Sequence, residues 1–185
     1  WIPYIGTFNL GWLMIPLFAF AVVASGNAVN ISDGLDGLAG GLLIMSYGAF
    51  GLISLIQGRY SLAAFCFTAL GTLLAYVWFN VYPARFFMGD VGSFAWGTAL
   101  GVVAMLTDSL LLLPVIGFLF VVEAGSSLIQ IISKKFFGRK IFISAPIHHH
   151  LEAKGWEETK ITMRFWVIAA VTAAIGVMMA MAARV

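Results

Sequence analysis

Residues 27–37 read NAVNISDGLDG, a polar stretch between two apolar runs. Asn or Asp recurs at every third position, which aligns the four side chains on a 3₁₀-like turn or along a slow spiral on an α-helix. They are Asn27, Asn30, Asp33 and Asp36. Acidic groups at the end of a membrane helix are costly unless they are solvated, paired or bound to a metal. Either aspartate could instead cap the next helix, but a cap accounts for one acid and not for four aligned polar residues. We therefore expect a functional site here.

The composition indicates an integral membrane protein. The chain is 62% hydrophobic and 10% charged, with a mean hydropathy of +1.00, whereas soluble domains carry about 25% charged residues. The net charge of +2 does not suggest a nucleic-acid partner. The single cysteine, Cys66, lies in an apolar run, so no disulfide is expected. Because the sequence begins with Trp1 and carries no signal peptide, we interpret it as part of a longer chain.

The apolar runs predict an all-α fold, a polytopic transmembrane helix bundle of about six spans in a single domain over residues 1–185. The predicted spans cover residues 10–24, 38–57, 62–79, 94–106, 110–133 and 165–183. Crossing a bilayer takes about 20 residues, so the fourth span is short and needs its flanking residues.

Six spans divide the connecting loops between two sides of the membrane. The loops at 27–37, 80–93 and 134–164 share one side, and they carry all of the ten Lys and Arg residues except Arg59 and Arg184. Cytoplasmic loops are enriched in Lys and Arg, so these three loops are predicted to face the cytoplasm. A single site built from three loops is then feasible.

The second of these loops reads FFMGDVGS over residues 86–93. Asp90 lies between glycines, where backbone can approach a phosphate group closely. An equally good interpretation is that Asp90 or Ser93 caps the fourth span. Phe86 and Phe87 fit interfacial aromatic residues or a surface on which a base stacks.

The fifth span carries a polar stripe at helical spacing. Its members are Glu123, Ser126, Ser127, Gln130 and Lys134. Such a stripe faces protein or water rather than lipid, either as part of a site or as helix–helix hydrogen bonds. Both interpretations remain open for Glu123, whereas Gln130 is nearer the cytoplasmic end and is assigned to the site. We also expect spans outside this chain to cover part of the face that Glu123 occupies, and this chain alone to be loosely packed.

Three histidines, His148, His149 and His150, follow Pro146 in the third loop. Successive side chains point in different directions, so they cannot all ligate one tetrahedral ion. Imidazoles can instead hydrogen-bond phosphate oxygens or transfer protons near neutral pH. An ordinary surface run of histidines is the alternative interpretation.

Three motifs together resemble one known family. They are NxxNxxDGxDGL from Asn27, FMGDVGS from Phe87 and PIHHH from Pro146, and the similarity continues through Lys154-Gly155-Trp156 and Arg164-Phe165-Trp166. This combination is similar to the phospho-N-acetylmuramoyl-pentapeptide-transferases, the MraY family of the polyprenyl-phosphate sugar-1-phosphate transferases. The resemblance implies about ten spans, a cytoplasmic site and usually a homodimer, with this chain as the second half. A pair of adjacent aspartates and a lysine, expected in the first half, have no counterpart here.

The resemblance also implies a reaction and its residues. A polyprenyl phosphate, such as undecaprenyl phosphate, attacks UDP-N-acetylmuramoyl-pentapeptide at the inner membrane of a bacterium, and UMP leaves. Asp90 would bind Mg²⁺ and act with His149 as the catalytic residues. The substrate-binding residues would be Asn27, Asn30, Asp33, Asp36, Asn80, Phe87, Gln130, His148, His149 and His150. Without the first half, this chain alone is expected not to catalyse transfer.

Other functions remain open on sequence grounds. A UDP-N-acetylglucosamine transferase of the same superfamily would differ in its donor substrate. An ion transporter would use Asp33, Asp36, Glu123 and the histidines, although most of these acids lie at one face rather than at the midplane of the membrane. A non-catalytic membrane fragment would gain no activity when the first half is added.

Overall fold

The computed structural model describes residues 10–182, which form helices and loops without a strand. A 3₁₀ turn at Gly11–Leu13 leads into the first helix, and a second turn at Leu110–Leu112 precedes the fifth. The helices are α1 (Met14–Ser32), α2 (Leu38–Ile56), α3 (Tyr60–Asn80), α4 (Gly89–Leu106), α5 (Leu113–Ile116), α6 (Phe118–Phe137), α7 (Ile147–Ala153) and α8 (Glu158–Ala182). Ala183, the predicted end of the last span, and Arg184 lie outside the described residues.

Within residues 10–182, five helices are long and apolar enough to cross a membrane, or six if a bent pair forms one more span. This confirms the prediction of an all-α bundle of about six spans. The prediction of one continuous fifth span over 110–133 is wrong, because the chain bends by 83° between Leu110–Ile116 and Phe118–Phe137. Gly117, at the bend, has a ψ of 33° and lies outside both helices. Pro114 sits in the first turn of α5, where its missing N–H leaves no helical bond unmade.

Helix α2 forms the centre of the bundle. Of its apolar membrane-spanning segment, 67% is buried inside the protein, whereas the corresponding segments of α1, α3, α4 and α8 are between 22% and 33% buried. The outer helices therefore keep apolar side chains on the surface, which suits contact with lipid. On α2, Tyr47 and Phe50 are fully buried, and the Tyr47 hydroxyl donates a 2.8 Å hydrogen bond to the carbonyl oxygen of Trp96 on α4.

Helices α1 and α4 approach each other closely because small residues line both. A Cβ atom placed on Gly97 of α4 would lie 2.6 Å from the carbonyl oxygen of Ser25 and 2.8 Å from the Cα of Gly26, both on α1. One turn further along α4, a Cβ on Gly101 would collide with the Ser25 hydroxyl. Small residues allow this approach of helix backbones in membrane proteins. The packing brings the end of α1 beside the start of α4.

Candidate functional site

Asn30 and Asp90 meet where the end of α1 lies beside the start of α4. The Asn30 Nδ2 group donates hydrogen bonds to Asp90 Oδ1 at 2.9 Å and to Ser93 Oγ at 3.0 Å. The N-cap of α4 is Met88, and no side chain caps it, so the capping interpretation of Asp90 and Ser93 is wrong. Asp90 lies in the first turn of α4 and is exposed to solvent. The partial positive charge of the helix N-terminus favours a carboxylate there.

Asp33 follows the last residue of α1 and is half-buried. Burial and, second, the negative charge of Asp90 raise the pKa of Asp33 from 3.8 to about 6. In residues 10–182, neither aspartate forms an ion pair with Lys or Arg. Two carboxylates that repel each other without a cationic partner favour binding of a cation between them or beside them.

The donors present fit Mg²⁺ completed by substrate better than a metal held by protein alone. The described residues contain no group of three or more His, Cys, Asp and Glu side chains that could hold an ion. Mg²⁺ typically takes one or two carboxylates, keeps several waters and completes its shell with substrate phosphates. Asp90 is open to solvent, and Asp33 is partly open.

Asp36 has a bracing role in the turn between α1 and α2. Its Oδ2 accepts a 2.9 Å hydrogen bond from the Ala84 N–H in the second loop. The Asp36 N–H donates to Glu158 Oε1 at 2.6 Å, and the Asp36 carbonyl accepts from the Thr162 hydroxyl at 3.3 Å. The turn is therefore fixed to the loop after α3 and to the start of α8.

Gly37 is the N-cap of α2 and has a φ of 75°, a left-handed conformation that favours glycine. No side chain caps α2, so the interpretation of Asp33 or Asp36 as its cap is also wrong. The Gly37 N–H donates to Asn80 Oδ1 at 3.0 Å, and its carbonyl accepts from Trp166 Nε1 at 3.1 Å. Asn80 Nδ2 donates to the Phe86 carbonyl at 3.0 Å, so Asn80 ties the first loop to the second.

The two phenylalanines of the second loop differ in their surroundings. Phe86 packs edge-on against Tyr76, with ring centroids 5.5 Å apart, and lies 6.0 Å from the ring of Phe79. Phe87 is 71% exposed. Of the two, Phe87 is the ring with a face available to a ligand.

Each histidine of the run has a different partner at Nδ1. His148 Nδ1 lies 2.8 Å from Glu123 Oε2, and both side chains are 0% exposed. His149 Nδ1 lies 2.5 Å from Glu152 Oε2, with both side chains partly exposed. His150 Nδ1 accepts a 3.1 Å hydrogen bond from the Ile143 N–H. Each of the three histidines is therefore held in place by a contact with another residue of the protein.

Glu123 is covered entirely by described residues. The expectation that it needs spans outside this chain is therefore wrong. The reason is the docking of α7 against α6, which places His148 over the carboxylate. A polar stripe in one helix cannot reveal which later segment covers it.

The side chains of Gln130 and Asn27 form hydrogen bonds with backbone groups of the protein. The Gln130 amide donates to the Phe142 carbonyl at 2.9 Å, and its Oε1 accepts from the Ile141 and Phe142 N–H groups at 3.0 and 3.1 Å. Gln130 also lines an open groove of about 320 Å³ with Ser127, Ile131, Lys134, Lys140, Ile143, Ser144 and Ala145. Asn27 is exposed and donates to the Val23 carbonyl of its own helix at 2.8 Å. Substrate contact by either residue stays a prediction.

The three polar loops thus meet at one end of the bundle. Sequence reasoning missed the residues that join them there, namely Glu123 as the partner of His148 and, in addition, Glu152, Glu158, Thr162 and Trp166. Trp166 stood within a family motif, but neither its contact with Gly37 nor that of Glu158 with Asp36 has a signal in the spacing of residues.

A family model described as glycosyl transferase family 4 matches residues 2–108, more than half of the chain. The chain belongs to this family. Its curated relatives include phospho-N-acetylmuramoyl-pentapeptide-transferases from Chloroflexus aurantiacus, 46% identical over 188 residues, and Geobacillus thermodenitrificans, 43% identical over 171 residues. These alignments cover 97% and 92% of this chain, and 51% and 53% of the relatives. A third, from Methylacidiphilum infernorum, is 45% identical over 175 residues, which is 86% of this chain and 48% of the relative. The chain spans about half the length of the curated relatives that it matches.

Proposed function

We propose that the complete protein carrying this sequence transfers phospho-N-acetylmuramoyl-pentapeptide from its UDP-activated form to a polyprenyl phosphate, undecaprenyl phosphate in bacteria. The product is the lipid-linked precursor of peptidoglycan, and UMP is released. The observation that carries the proposal is the convergence of Asp33, Asp90 and the three histidines' loop at one end of the bundle, in a chain 43–46% identical to transferases of that name.

The proposed reaction exchanges one phosphoanhydride bond for another. An oxygen of the lipid phosphate attacks the β-phosphorus of the UDP-sugar, and the bond from that phosphorus to the oxygen bridging to UMP breaks. The electron pair leaves with UMP. Phosphoryl transfer of this kind depends on positioning and on neutralisation of phosphate charge.

Asp90 and Asp33 are the proposed ligands of Mg²⁺, which when bound would neutralise and align the two anionic substrates. Asn30 holds the Asp90 carboxylate in place, as its 2.9 Å hydrogen bond indicates. The exposed ring of Phe87 is proposed to stack on uracil. His149 and His150 are the partly exposed histidines, so we assign them the contacts to the diphosphate or sugar. Asn27, Asp36, Asn80, Gln130 and His148 would act at the edge of the site or by supporting its loops.

A donor panel tests this proposal. The complete protein, with Mg²⁺ and a polyprenyl phosphate, is expected to release UMP from UDP-N-acetylmuramoyl-pentapeptide and not from UDP-N-acetylglucosamine. The reverse preference would assign the protein to the N-acetylglucosamine branch, and cation flux in proteoliposomes without UMP release would indicate a transporter. The 185-residue chain assayed alone is expected to be inactive. Release by it would show that the family's adjacent aspartates are not needed.

The proposed location is the bacterial cytoplasmic membrane with the site facing the cytoplasm, and the complete protein is proposed to be a homodimer. Single cysteines at Val91 and Lys154, in a Cys66→Ala background, are expected to react with a membrane-impermeant thiol reagent only from the cytoplasmic side. Both positions are exposed at the site end of the bundle. A cysteine at Tyr60, which is 72% exposed at the opposite end of α3, is the control and should react only from outside. Labelling of Val91 and Lys154 from different sides would contradict a single cytoplasmic site.

A further inference from the structure

Glu123 and His148 form a buried pair beneath the candidate site. Glu123 belongs to α6 and His148 to the first turn of α7, and both side chains are 0% exposed. Glu123 Oε2 lies 2.8 Å from His148 Nδ1. This contact fixes the orientation of the His148 ring.

The other edge of the His148 ring presses against the turn that follows α1. A Cβ atom on Gly34 would collide with His148 Nε2 and would lie 2.9 Å from its Cε1. Gly34 is not in a left-handed conformation, so the space occupied by the imidazole, rather than backbone geometry, requires a glycine there. His148 therefore acts as a spacer between α6 and the residue next to Asp33.

The same ring also borders His149. The ring centroids of His148 and His149 are 4.2 Å apart, and His149 is held from its other side by Glu152. A displacement of His148 would thus move two parts of the site at once, the Asp33–Gly34 turn and the His149 imidazole.

Burial of the Glu123–His148 pair carries a high free-energy cost for a contact between two helices. Glu123 Oε1 and His148 Nε2 are both buried without a hydrogen-bond partner among the described residues. Buried polar atoms are nearly always paired, and a neutral or apolar contact would join α6 and α7 at lower cost. Full burial also removes Glu123 from direct contact with substrate.

We propose that Glu123 is a positioning residue for the transfer reaction and acts through His148, holding both the Asp33 turn and His149 in their working positions. This inference rests on the function proposed above. A helix–helix hydrogen bond without this role would affect stability alone, so kinetics separates the two.

Four variants of the complete protein test the inference by UMP release. Glu123→Ala is expected to lower kcat by roughly 10–100-fold with little change in KM for the UDP-sugar. Losses of this size are typical when a residue that orients a functional side chain is removed. Glu123→Gln keeps a side chain of the same size that can hydrogen-bond His148 Nδ1, and it is expected to restore most of kcat. Gly34→Ala displaces His148 from the opposite side and should lower kcat while Glu123 is intact. Ser126→Ala is the control, since the Ser126 hydroxyl is buried one turn along the same face and, within residues 10–182, donates to the backbone carbonyl of Glu123.

A chemical readout independent of activity completes the test. Diethyl pyrocarbonate, followed by mass spectrometry, should modify His149 and His150 in the unchanged protein and should modify His148 only in Glu123→Ala. Non-additive losses in kcat for Glu123→Ala combined with His148→Ala are also expected, because both changes break one contact. Full kcat in Glu123→Ala, or protection of His148 in that variant, would overturn the inference. No UMP release from the unchanged protein with any donor would instead overturn the proposed function, and the modification of His148 would still report whether Glu123 holds it.

Discussion

Replacement of Asp90 by asparagine is expected to lower UMP release by at least about 10²–10³-fold, the usual loss when one preorganised charged group is removed from a transition state. Asparagine keeps an Oδ1 that accepts the hydrogen bond from Asn30, now 2.9 Å long, so the geometry of the α1–α4 junction should survive. What the variant loses is the negative charge that is proposed to hold Mg²⁺ beside the substrate phosphates. A large kinetic loss without unfolding would therefore identify the charge, rather than the shape, as the functional property.

Stability is expected to change little in Asp90→Asn, because two effects of the lost charge oppose each other. The pKa of Asp33 in the folded state is about 6, above its ordinary 3.8, so its contribution to stability is fully present below pH 3.8 and is lost as the pH rises through 6. Part of this shift comes from the Asp90 charge, which the variant removes. The variant also loses the favourable interaction of the Asp90 carboxylate with the N-terminus of α4. At neutral pH without metal, it should therefore unfold at about the same temperature as the unchanged protein.

Two controls frame this experiment. Asp108→Asn changes an aspartate at the opposite end of α4, where it pairs with Arg59 at 2.6 Å with both side chains exposed, and should leave UMP release unchanged. Asp33→Asn should reduce activity only in part if Asp33 assists Asp90. Activity close to that of the unchanged protein in Asp90→Asn would remove Asp90 from the site.

The helices were predictable because each is a long apolar run with a polar or glycine boundary. The second span, predicted at 38–57, agrees with α2 at Leu38–Ile56 to within one residue. The bend at Gly117 was not predictable in this way, since the residues immediately before and after it are apolar and hydropathy measures no direction. A proline and a glycine three residues apart were its only local signal.

Local rules also failed at the helix ends near the site. Asp33, Asp36 and Asp90 all stand where aspartate is commonly the N-cap of a helix, yet none of them is the N-cap of α2 or α4. Asp90 and Asp36 instead accept hydrogen bonds from segments distant in sequence, Asp90 from Asn30 and Asp36 from Ala84, across 60 and 48 residues. A failure of local preference at several adjacent positions is expected where residues serve function. The convergence of three loops was inferred from the distribution of Lys and Arg, but the contacts that join them depend on helix packing.

Replacement of Gly97 by valine is expected to cause a marked loss of stability. The added Cβ would lie 2.6 Å from the Ser25 carbonyl oxygen and 2.8 Å from the Gly26 Cα, and backbone atoms cannot move aside as a flexible side chain can. Helices α1 and α4 would have to separate, at a cost of about 1–3 kcal/mol or more for overpacking. Because α1 carries Asn30 and α4 carries Asp90, the separation should also break their hydrogen bond and abolish UMP release.

Gly71→Val is the matched control for this prediction. Gly71 lies within α3 as Gly97 lies within α4, so both variants carry the same preference of a β-branched residue against helix. A Cβ on Gly71 would meet nothing within 4 Å. Thermal unfolding in detergent should therefore show a marked decrease in midpoint for Gly97→Val and almost none for Gly71→Val. Equal midpoints for the two variants would show that α1 and α4 are not held together by backbone contact at Gly97, and the position of Asn30 beside Asp90 would then need another cause.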